Sequence, residues 1–230
     1  MVPSGPMPSR VGVLIPTLNA AGTITAAIAS AWRARADEVW VSDGGSADGT
    51  PELAIRAGAK VIAESSVRGS QSNAAAHRCD CESLIFLHGD TTLPENGCSL
   101  VRNALESGFE FGGFSLRFRE RQLRLLVAER MINLRTRFTR CPWGDQAQFV
   151  RRDVFLAQGG YRSIPIMEDY DLAVRMKQRG RNVLLSEHVI TSGARFLRNG
   201  LLVTMATNWR IVIAYRSGVE PEKLASIYRR

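Results

Sequence analysis

The chain has 230 residues, 45% of them hydrophobic, which is typical of one globular domain with a sizeable core. Its formal net charge of +8 indicates an anionic partner: a nucleotide, a phosphate, a nucleic acid or a membrane surface. No uncharged run approaches the length of a membrane-spanning helix, and residues 1–10 lack the apolar core of a signal peptide. The composition argues against integral membrane and secreted proteins, so we expect a cytoplasmic protein with a disordered lead over residues 1–10.

The first half of the chain alternates apolar runs with helical segments, and this alternation predicts a mostly parallel, doubly wound sheet. The predicted strands are VGVLIP (11–16), EVWVSD (38–43), KVIA (60–63) and LIFL (84–87). The predicted helices between them are ITAAIASAWRA (24–34), ELAIRAGA (52–59) and residues 69–78. The run 84–87 is continuously apolar, which is typical of a central strand covered on both faces.

The second half of the chain has a mixed pattern. Its predicted elements are a helix over 95–107, the strand FGGFSLRF (111–118), a basic helix over about 120–138, the helix EDYDLAVRMKQRG (168–180), short strands NVLLS (182–186) and HVITS (188–192), and a helix over 201–216. We therefore divide the chain into the lead, a main domain over 11–195, and a helical extension over 196–230 that packs on the same domain.

Carboxylates lie at the ends of two predicted strands, where Asp43 ends EVWVSD and Asp90 follows LIFL. Ligands of open α/β sheets bind beyond the carboxyl ends of the strands, so these groups and Glu168-Asp169 are expected to face one crevice. A carboxylate there accepts hydrogen bonds from a ribose or base, or binds Mg²⁺ or Mn²⁺ beside a diphosphate. Each residue alone is better explained as a turn or cap residue, and only the group indicates a site.

Other nucleotide and nucleic-acid classes are poorly supported. The loop GGSADG (44–49) lacks the G-x-G-x-x-G spacing of a dinucleotide-binding turn, and the chain has no P-loop. A nucleic-acid-binding module is suggested by net charge alone, because the basic residues are spread and no known recognition motif is present. The four cysteines do not have zinc-ribbon spacing and are expected to be free thiols.

Seven segments in this order resemble the family-2 glycosyltransferases with the GT-A fold: VLIPTLN, VSDGGSADGT, RGSQSNAAA, FLHGDTTLP, GGF, GDQAQFVRRDVFLAQGGY and MEDYDLAVRMKQRGR. The resemblance runs from about residue 11 to residue 192. The His of FLHGDT, the stretch TSGARF and the tail YRSGVEPEKLASIY resemble in particular the selenodomain-associated transferase subgroup. The resemblance implies an α/β, GT-A-like fold: a Rossmann-like, mostly parallel mixed sheet with helices on both faces.

The resemblance also implies roles for individual residues. The loop and strand end that resemble the pocket for the nucleotide base and ribose contain Pro16, Thr17, Asn19 and Asp43. The segment that lies over the nucleotide contains Arg68, Gln71 and Asn73. Asp145 and Gln146 resemble the acceptor-side loop, where Glu168 is a cap or supporting group. Asp90 corresponds to the last Asp of the D-x-D motif, and Asp169 to the catalytic base.

The implied activity is that of an inverting, hexosyltransferase-type enzyme. Such an enzyme moves a sugar from a nucleotide-diphosphate sugar, which we expect to be a UDP-sugar, to an acceptor hydroxyl. Asp90 binds Mg²⁺ or Mn²⁺, and Asp169 is the base. Two positions depart from the family pattern: His88 stands where the first Asp of D-x-D is usual, and Ala20 where a Glu is common. His88 is therefore either a second metal ligand, a donor to phosphate, or a strand-end residue without a metal role.

Two alternatives stay open for the basic helix over 120–138, in which apolar residues form one stripe among arginines: Leu123, Leu126, Val127, Met131 and Leu134. The stripe either packs into the core or touches anionic lipid at the inner face of the membrane, where it brings a lipid-linked acceptor to the crevice. The last helix has the same alternatives, with homodimerisation as a third. A non-catalytic nucleotide-sugar sensor on this fold is the competing function.

Overall fold

Seven strands form one mixed sheet in the computed structural model, which describes residues 9–228. They are β1 (Val11–Thr17), β2 (Glu38–Asp43), β3 (Lys60–Ala63), β4 (Ser83–Phe86), β5 (Phe111–Phe118), β6 (Phe149–Arg151) and β7 (Asn182–Thr191). The strand order is β3-β2-β1-β4-β6-β5-β7, and β6 runs antiparallel to both of its neighbours while the remaining pairs are parallel. The expected mostly parallel mixed sheet is confirmed, and most of the predicted lead lies outside the described residues.

Ten helices surround this sheet in the described part of the chain. They are α1 (Ile24–Arg33), α2 (Thr50–Arg56), α3 (Arg68–Arg78), α4 (Gly97–Glu106), α5 (Leu123–Thr139), α6 (Arg152–Ala157), α7 (Glu168–Arg179), α8 (Ala194–Asn199), α9 (Leu201–Arg216) and α10 (Pro221–Tyr228). A 3₁₀ turn spans Gly144–Gln146. The individually predicted helices are all present; α6 was not predicted, and α8 and α10 were predicted only as part of the helical extension.

Helices cover both faces of the sheet because the side chains of its central strands alternate between two apolar clusters. Val13 and Ile15 of β1 pack in a cluster with α1, α2, α4 and α5, whereas Leu14 between them packs with α3, α6 and α7. Ile85 and Phe86 of β4 divide in the same way between the two clusters. This two-sided burial explains the continuous apolar runs in the sequence and confirms the expected arrangement of helices.

The two short strands predicted at residues 182–192 are wrong as separate elements, because the structure has one strand, β7. Its register against β5 shifts between Phe114 and Ser115, which pair with Leu185 and His188 respectively. A bulge of this kind adds residues to one strand without ending the pairing. The added residues interrupt the alternation in the sequence, which is why the pattern indicated two strands.

The apolar stripe predicted on α5 lies on its solvent side. Leu125, Ala128 and Ile132 form the buried side of the helix. Most of the predicted stripe is exposed, with Leu123 78% and Leu134 55% accessible. The alternative in which this stripe packs into the core is therefore wrong.

The C-terminal helices pack on the main domain through α9. This helix contacts α5, and α10 packs against α9. Ile211, Val212 and Leu224 form a small apolar cluster with Met167, the residue before α7. The C-terminal helices thus cover one side of the segment that leads into α7. None of the helices within residues 9–228 combines the length and apolarity needed to cross a bilayer.

Candidate active site

A cleft of about 460 Å³ lies beyond the carboxyl end of β1, between the N-terminal ends of α3 and α7. Six of the residues singled out in the sequence line it: Pro16, Thr17, Arg68, Gln71, Glu168 and Asp169. The buried Gln71 donates a hydrogen bond from Nε2 to the carbonyl oxygen of Thr17 at 2.9 Å and so ties α3 to the end of β1. The Thr17 hydroxyl oxygen is buried and has no hydrogen-bond partner among the described residues. A buried polar atom of this kind is available to a ligand.

Glu168 begins α7 and is buried, with 4% of its surface exposed. Its Oε1 lies 3.4 Å from Nη1 of Arg68 across the cleft. Loss of solvent around the carboxyl, together with the neighbouring Asp169 charge, raises the pKa of Glu168 to about 7 despite the Arg68 guanidinium. Glu168, the first residue of α7, is therefore expected to gain or lose a proton near neutral pH.

Asp169 faces the 3₁₀ turn that follows α5. Its Oδ2 accepts a hydrogen bond of 2.6 Å from the backbone N–H of Gly144, and its Oδ1 accepts one from the N–H of Tyr170. A Cβ at position 144 would lie 2.8 Å from Nε2 of His88 and 3.1 Å from Asp169 Oδ2. Gly144 thus allows the His88 imidazole and the Asp169 carboxylate to approach one short stretch of backbone from two sides.

Asp145 lies near Asp90 and Asp169, so three carboxylates contribute like charge to this region, although of the three only Asp169 lines the cleft. Asp145 Oδ1 is buried without a hydrogen-bond partner in the described part of the chain. Burial raises the pKa of Asp145 to about 6, and the charges of Asp169 and Asp90 add to the effect while Arg135 opposes it. Such a cluster is relieved by a proton or by a cation.

The chemistry of this group fits Mg²⁺ or Mn²⁺. Both ions take carboxylate oxygens, and an imidazole nitrogen also suits Mn²⁺. Loss of solvent lowers the pKa of His88 to about 3, with Arg68 adding to the effect, so its ring is neutral and keeps a lone pair. Elsewhere in residues 9–228, potential ligand atoms of Glu38, Cys79 and Cys81 lie within 4.8 Å of one another, near the end where β2 begins. There Glu38 already pairs with Arg10 and Lys60.

Asp43 and Asn19 hold the loops beside the cleft. Asp43 Oδ2 accepts hydrogen bonds from the N–H groups of Gly45 and Ser46 at 2.9 and 2.8 Å, as in a turn closed by an aspartate. Asn19 Oδ1 accepts a hydrogen bond from the N–H of Ala47 at 3.0 Å. These contacts join the loop after β1 to the loop after β2, and the roles of both residues toward a nucleotide stay predictions.

Asn73 and Gln146 are also engaged by the protein itself. Asn73 exchanges two hydrogen bonds with the backbone of Tyr161, at 2.8 and 2.9 Å. Gln146 is fully buried, and its amide bonds the Thr136 hydroxyl and the Phe114 carbonyl. These two side chains therefore bond other protein groups near the cleft and do not line it.

Four residues of the site region were not identified from the sequence: Arg135, Trp143, Tyr170 and Asn208. The Arg135 guanidinium lies 3.7 Å from the centre of the Trp143 ring, and its Nε is buried without a hydrogen-bond partner among the described residues. Burial lowers the pKa of Arg135 to about 10. In the sequence Arg135 is one of many arginines in a basic helix, so no local signal distinguishes it.

Comparison with known proteins gives one family match and one curated relative. Residues 12–165 match the family model described as glycosyl transferase family 2. The chain is 34% identical over 107 residues to glycosyltransferase AglJ of Haloferax volcanii, an alignment that covers 46% of this chain and 35% of that protein. The matched region therefore spans about a third of the relative's length.

Solved structures share the fold at low sequence identity. The mannosyltransferase PcManGT from Pyrobaculum calidifontis, in complex with GDP-Man and Mn²⁺, has a TM-score of 0.65 and 16% identity, over 95% of this chain and 68% of that one. S. aureus TarS 1–349 has a TM-score of 0.63 and 17% identity, over 80% and 60% of the two chains. Glucosyl-3-phosphoglycerate synthase from Mycobacterium tuberculosis, in complex with Mn²⁺, UDP and glucosyl-3-phosphoglycerate, has a TM-score of 0.59 and 19% identity, over 92% and 81%. The expected GT-A fold is confirmed, while the narrower selenodomain-associated resemblance stays a prediction.

Proposed function

The chain belongs to glycosyl transferase family 2, and we propose that it transfers a sugar from a nucleotide-diphosphate sugar to an acceptor hydroxyl. The observation that carries the proposal is a cleft lined by Arg68, Glu168 and Asp169, in which Asp169 lies beside Gly144 and His88. This arrangement combines a cationic side chain suited to a diphosphate with a carboxylate suited to act as a general base.

The donor end of the cleft is formed by β1 and α3. Arg68 is a cation suited to the diphosphate, and the unpartnered Thr17 hydroxyl is free to bond the nucleotide. Solved structures of similar fold contain UDP-GlcNAc in TarS, GDP-Man in PcManGT and UDP in glucosyl-3-phosphoglycerate synthase. A nucleotide sugar is therefore the proposed donor, and a UDP-sugar is the first one to test.

Asp90 and His88 would hold the divalent ion, and Asp145 supplies further negative charge beside them. When bound, Mg²⁺ or Mn²⁺ supplies positive charge that stabilises the leaving diphosphate. The neutral His88 ring and the unpartnered Asp145 oxygen support this assignment. PcManGT and glucosyl-3-phosphoglycerate synthase, which share the fold, were both solved with Mn²⁺.

Asp169 is the proposed general base. Its carboxylate lines the cleft, and the N–H of Gly144 holds Oδ2 in one orientation. The base accepts the proton of the acceptor hydroxyl as its oxygen attacks the anomeric carbon from the side opposite the diphosphate. One displacement of this kind inverts the configuration at that carbon.

A thermal-shift screen of UDP-, GDP- and dTDP-sugars with Mn²⁺, Mg²⁺ or excess EDTA tests the proposal. A donor at many times its Kd raises the free energy of unfolding by roughly 2–4 kcal/mol, so the unfolding temperature should rise with donor and metal together. Asp90→Ala should abolish the metal-dependent part, whereas Asp80→Ala, at an exposed position outside the cleft, should not. If the protein binds none of these donors with either ion, the proposal is contradicted. If it binds a donor but does not transfer the sugar, the result favours a nucleotide-sugar sensor.

A further inference from the structure

A second cavity, of about 790 Å³, opens beside the donor cleft between α5, α7 and α9. We propose that it binds the acceptor, and that the acceptor is an amphiphile with an apolar chain and an anionic head that reaches the enzyme from an anionic lipid surface. This inference rests on the proposed sugar transfer and specifies its substrate class. The cavity and the donor cleft share four lining residues, Trp143, Tyr170, Asn208 and Val212. A molecule in the cavity is therefore next to the bound donor.

The walls of the cavity suit an apolar chain. They are mostly apolar, with side chains such as Ile132 of α5, Val174 of α7 and Met205 of α9. The volume is within the range of about 300–1,000 Å³ that small-molecule sites usually have. A polar saccharide acceptor would leave these walls unused, whereas an alkyl or isoprenoid chain removes them from water.

The cavity also has an excess of cationic side chains. Four cationic residues line it, namely Arg135, Arg175, Lys177 and Arg216, against the two carboxylates of Asp145 and Asp171. Arg175 is committed to Asp171, with an N–O distance of 2.7 Å. Arg135 makes no ion pair within residues 9–228; its Nη2 donates hydrogen bonds to Thr136 and Gln146, while its Nε is buried and unpartnered. Because Arg135 stacks on Trp143, which lines both cavities, an anionic head at Arg135 lies at the junction with the donor.

Exposed apolar residues adjoin this cavity, because Met131 of α5 and Trp209 of α9 both line it and are exposed. On α5 the exposed apolar residues are Leu123, Val127, Met131, Leu134 and Phe138. Since an α-helix turns by about 100° per residue, these five lie within roughly 80° of arc. Exposed arginines flank the stripe, with Arg124 on one side and Arg130 and Arg137 on the other.

The neighbouring helix α9 extends the same surface. It contacts α5 and exposes Leu202, Val203, Trp209 and Ile213, with Arg210 and Arg216 also exposed. The sequence of α9 contains no acidic residue. An apolar face bordered by arginines is the pattern of a surface that rests on anionic lipid, where the apolar side chains enter the interface and the guanidinium groups meet the head groups.

A second copy of the chain is a less suitable occupant of this surface. A two-fold symmetric contact through α5 would set the same arginine-bordered stripe against itself. The guanidinium groups along its borders would then face like charges, which costs free energy unless acidic partners are present. Glu129, the one acidic residue of α5, is buried and paired with Arg121. Anionic lipid supplies the missing negative charge.

Vesicle co-sedimentation of the full chain tests the lipid surface. Vesicles of phosphatidylglycerol and phosphatidylcholine in equal parts should bind the protein, and vesicles of phosphatidylcholine alone should bind it weakly. The double variant Leu134→Ser/Phe138→Ser should bind the mixed vesicles about tenfold less tightly or worse. Ile55→Ser removes a comparably exposed apolar side chain from α2, away from this surface, and should have no effect. If the unmodified chain sediments as a dimer, the double variant is monomeric, and neither binds vesicles, the surface is a contact between copies and the inference is wrong.

Calorimetry with dodecyl phosphate tests the cavity, with inorganic phosphate and dodecanol as the probes for head and chain alone. We expect dodecyl phosphate to bind more tightly than either. Arg135→Met should remove the advantage of the phosphate, Arg135→Lys should restore part of it, and Met205→Trp, which fills the cavity, should weaken dodecyl phosphate and dodecanol together. Inorganic phosphate that binds as tightly as dodecyl phosphate would overturn the inference.

Titration of the same variants with UDP separates the two proposals. UDP binding that is unchanged in Met205→Trp, with dodecyl phosphate binding weakened, supports the inference. UDP binding together with a complete absence of dodecyl phosphate binding in the unmodified chain rejects the acceptor assignment and leaves the proposed sugar transfer standing. Failure of UDP to bind the unmodified chain with Mn²⁺ counts against the proposed function itself.

Discussion

The buried Glu168 makes stability depend on pH in a direction opposite to that of an ordinary surface carboxylate. Its pKa is raised from 4.5 to about 7, chiefly by loss of solvent and then by the neighbouring Asp169, although Arg68 opposes the shift. Between these two pH values the folded protein holds a proton on Glu168 that the unfolded chain has released. The free energy of unfolding therefore falls as the pH rises from 4.5 to 7 and levels off above 7.

Glu168→Gln removes this dependence because the amide does not titrate in this range. One pKa unit corresponds to about 1.36 kcal/mol, so the shift from 4.5 to about 7 corresponds to at most about 3 kcal/mol. At pH 4 the variant and the unmodified chain should be close in stability. At pH 8 the variant should be more stable by roughly 2–3 kcal/mol, and the ion pair with Arg68 takes nothing further from this figure because its effect is already contained in the net pKa shift.

Urea unfolding of both proteins at several pH values from 4 to 8 measures the difference. Only the difference between the two curves matters, because every other titrating group is common to both. Glu95→Gln, at an exposed position, controls for the substitution itself. A difference between Glu168→Gln and the unmodified chain that does not change with pH would refute the proposed burial and charge environment of Glu168.

Three further predictions concern catalysis. Asp169→Asn should lower turnover by roughly a hundredfold or more, the usual scale of a general base, while calorimetry shows nearly unchanged UDP binding; unchanged turnover would remove Asp169 from the mechanism. Asp90→Ala should lose Mn²⁺-dependent UDP binding and His88→Ala should lose less, and full activity in excess EDTA would contradict both. Gly144→Ala should lower turnover by about tenfold or more, because the new methyl group meets His88 and Asp169, whereas Gly22→Ala, which meets nothing within 4 Å, should be neutral in the same steady-state assay.

The sequence determined β1 to β5 and the class of the fold with little help from tertiary contacts, whereas β6 was not predicted and β7 was predicted as two strands. The runs at β1 and β4 place apolar residues on both faces of the strand, a pattern typical of a strand covered on two sides. The strand-end carboxylates and the acidic start of α7 were also visible, because local chain direction sets which end of a parallel strand faces the ligand. Motif resemblance then indicated the family that residues 12–165 match.

The tertiary structure decided which of those polar residues reach the cleft. Asp43 and Gln146 look like binding residues in sequence; in the structure Asp43 accepts hydrogen bonds within its own turn, and Gln146, which belongs to the 3₁₀ turn, is fully buried. Conversely, Arg135 is indistinguishable from the other arginines of its helix until Trp143 packs on it and leaves its Nε without a partner. Hydrogen-bond satisfaction and burial depend on neighbours that are distant in sequence, so residue type and spacing cannot specify them.

Tertiary packing also decided the two features that concern the acceptor: the exposed apolar stripe of α5 and the cavity between α5, α7 and α9. Periodicity showed that α5 has an apolar stripe, but a stripe that packs into a core and one that faces a lipid surface have the same spacing. The structure resolved the choice because the opposite side of α5, with Leu125 and Ala128, is the side that contacts the sheet. The cavity between α5, α7 and α9 exists only once three helices far apart in the chain are brought together, since the volume they enclose is a property of their packing and of no single segment.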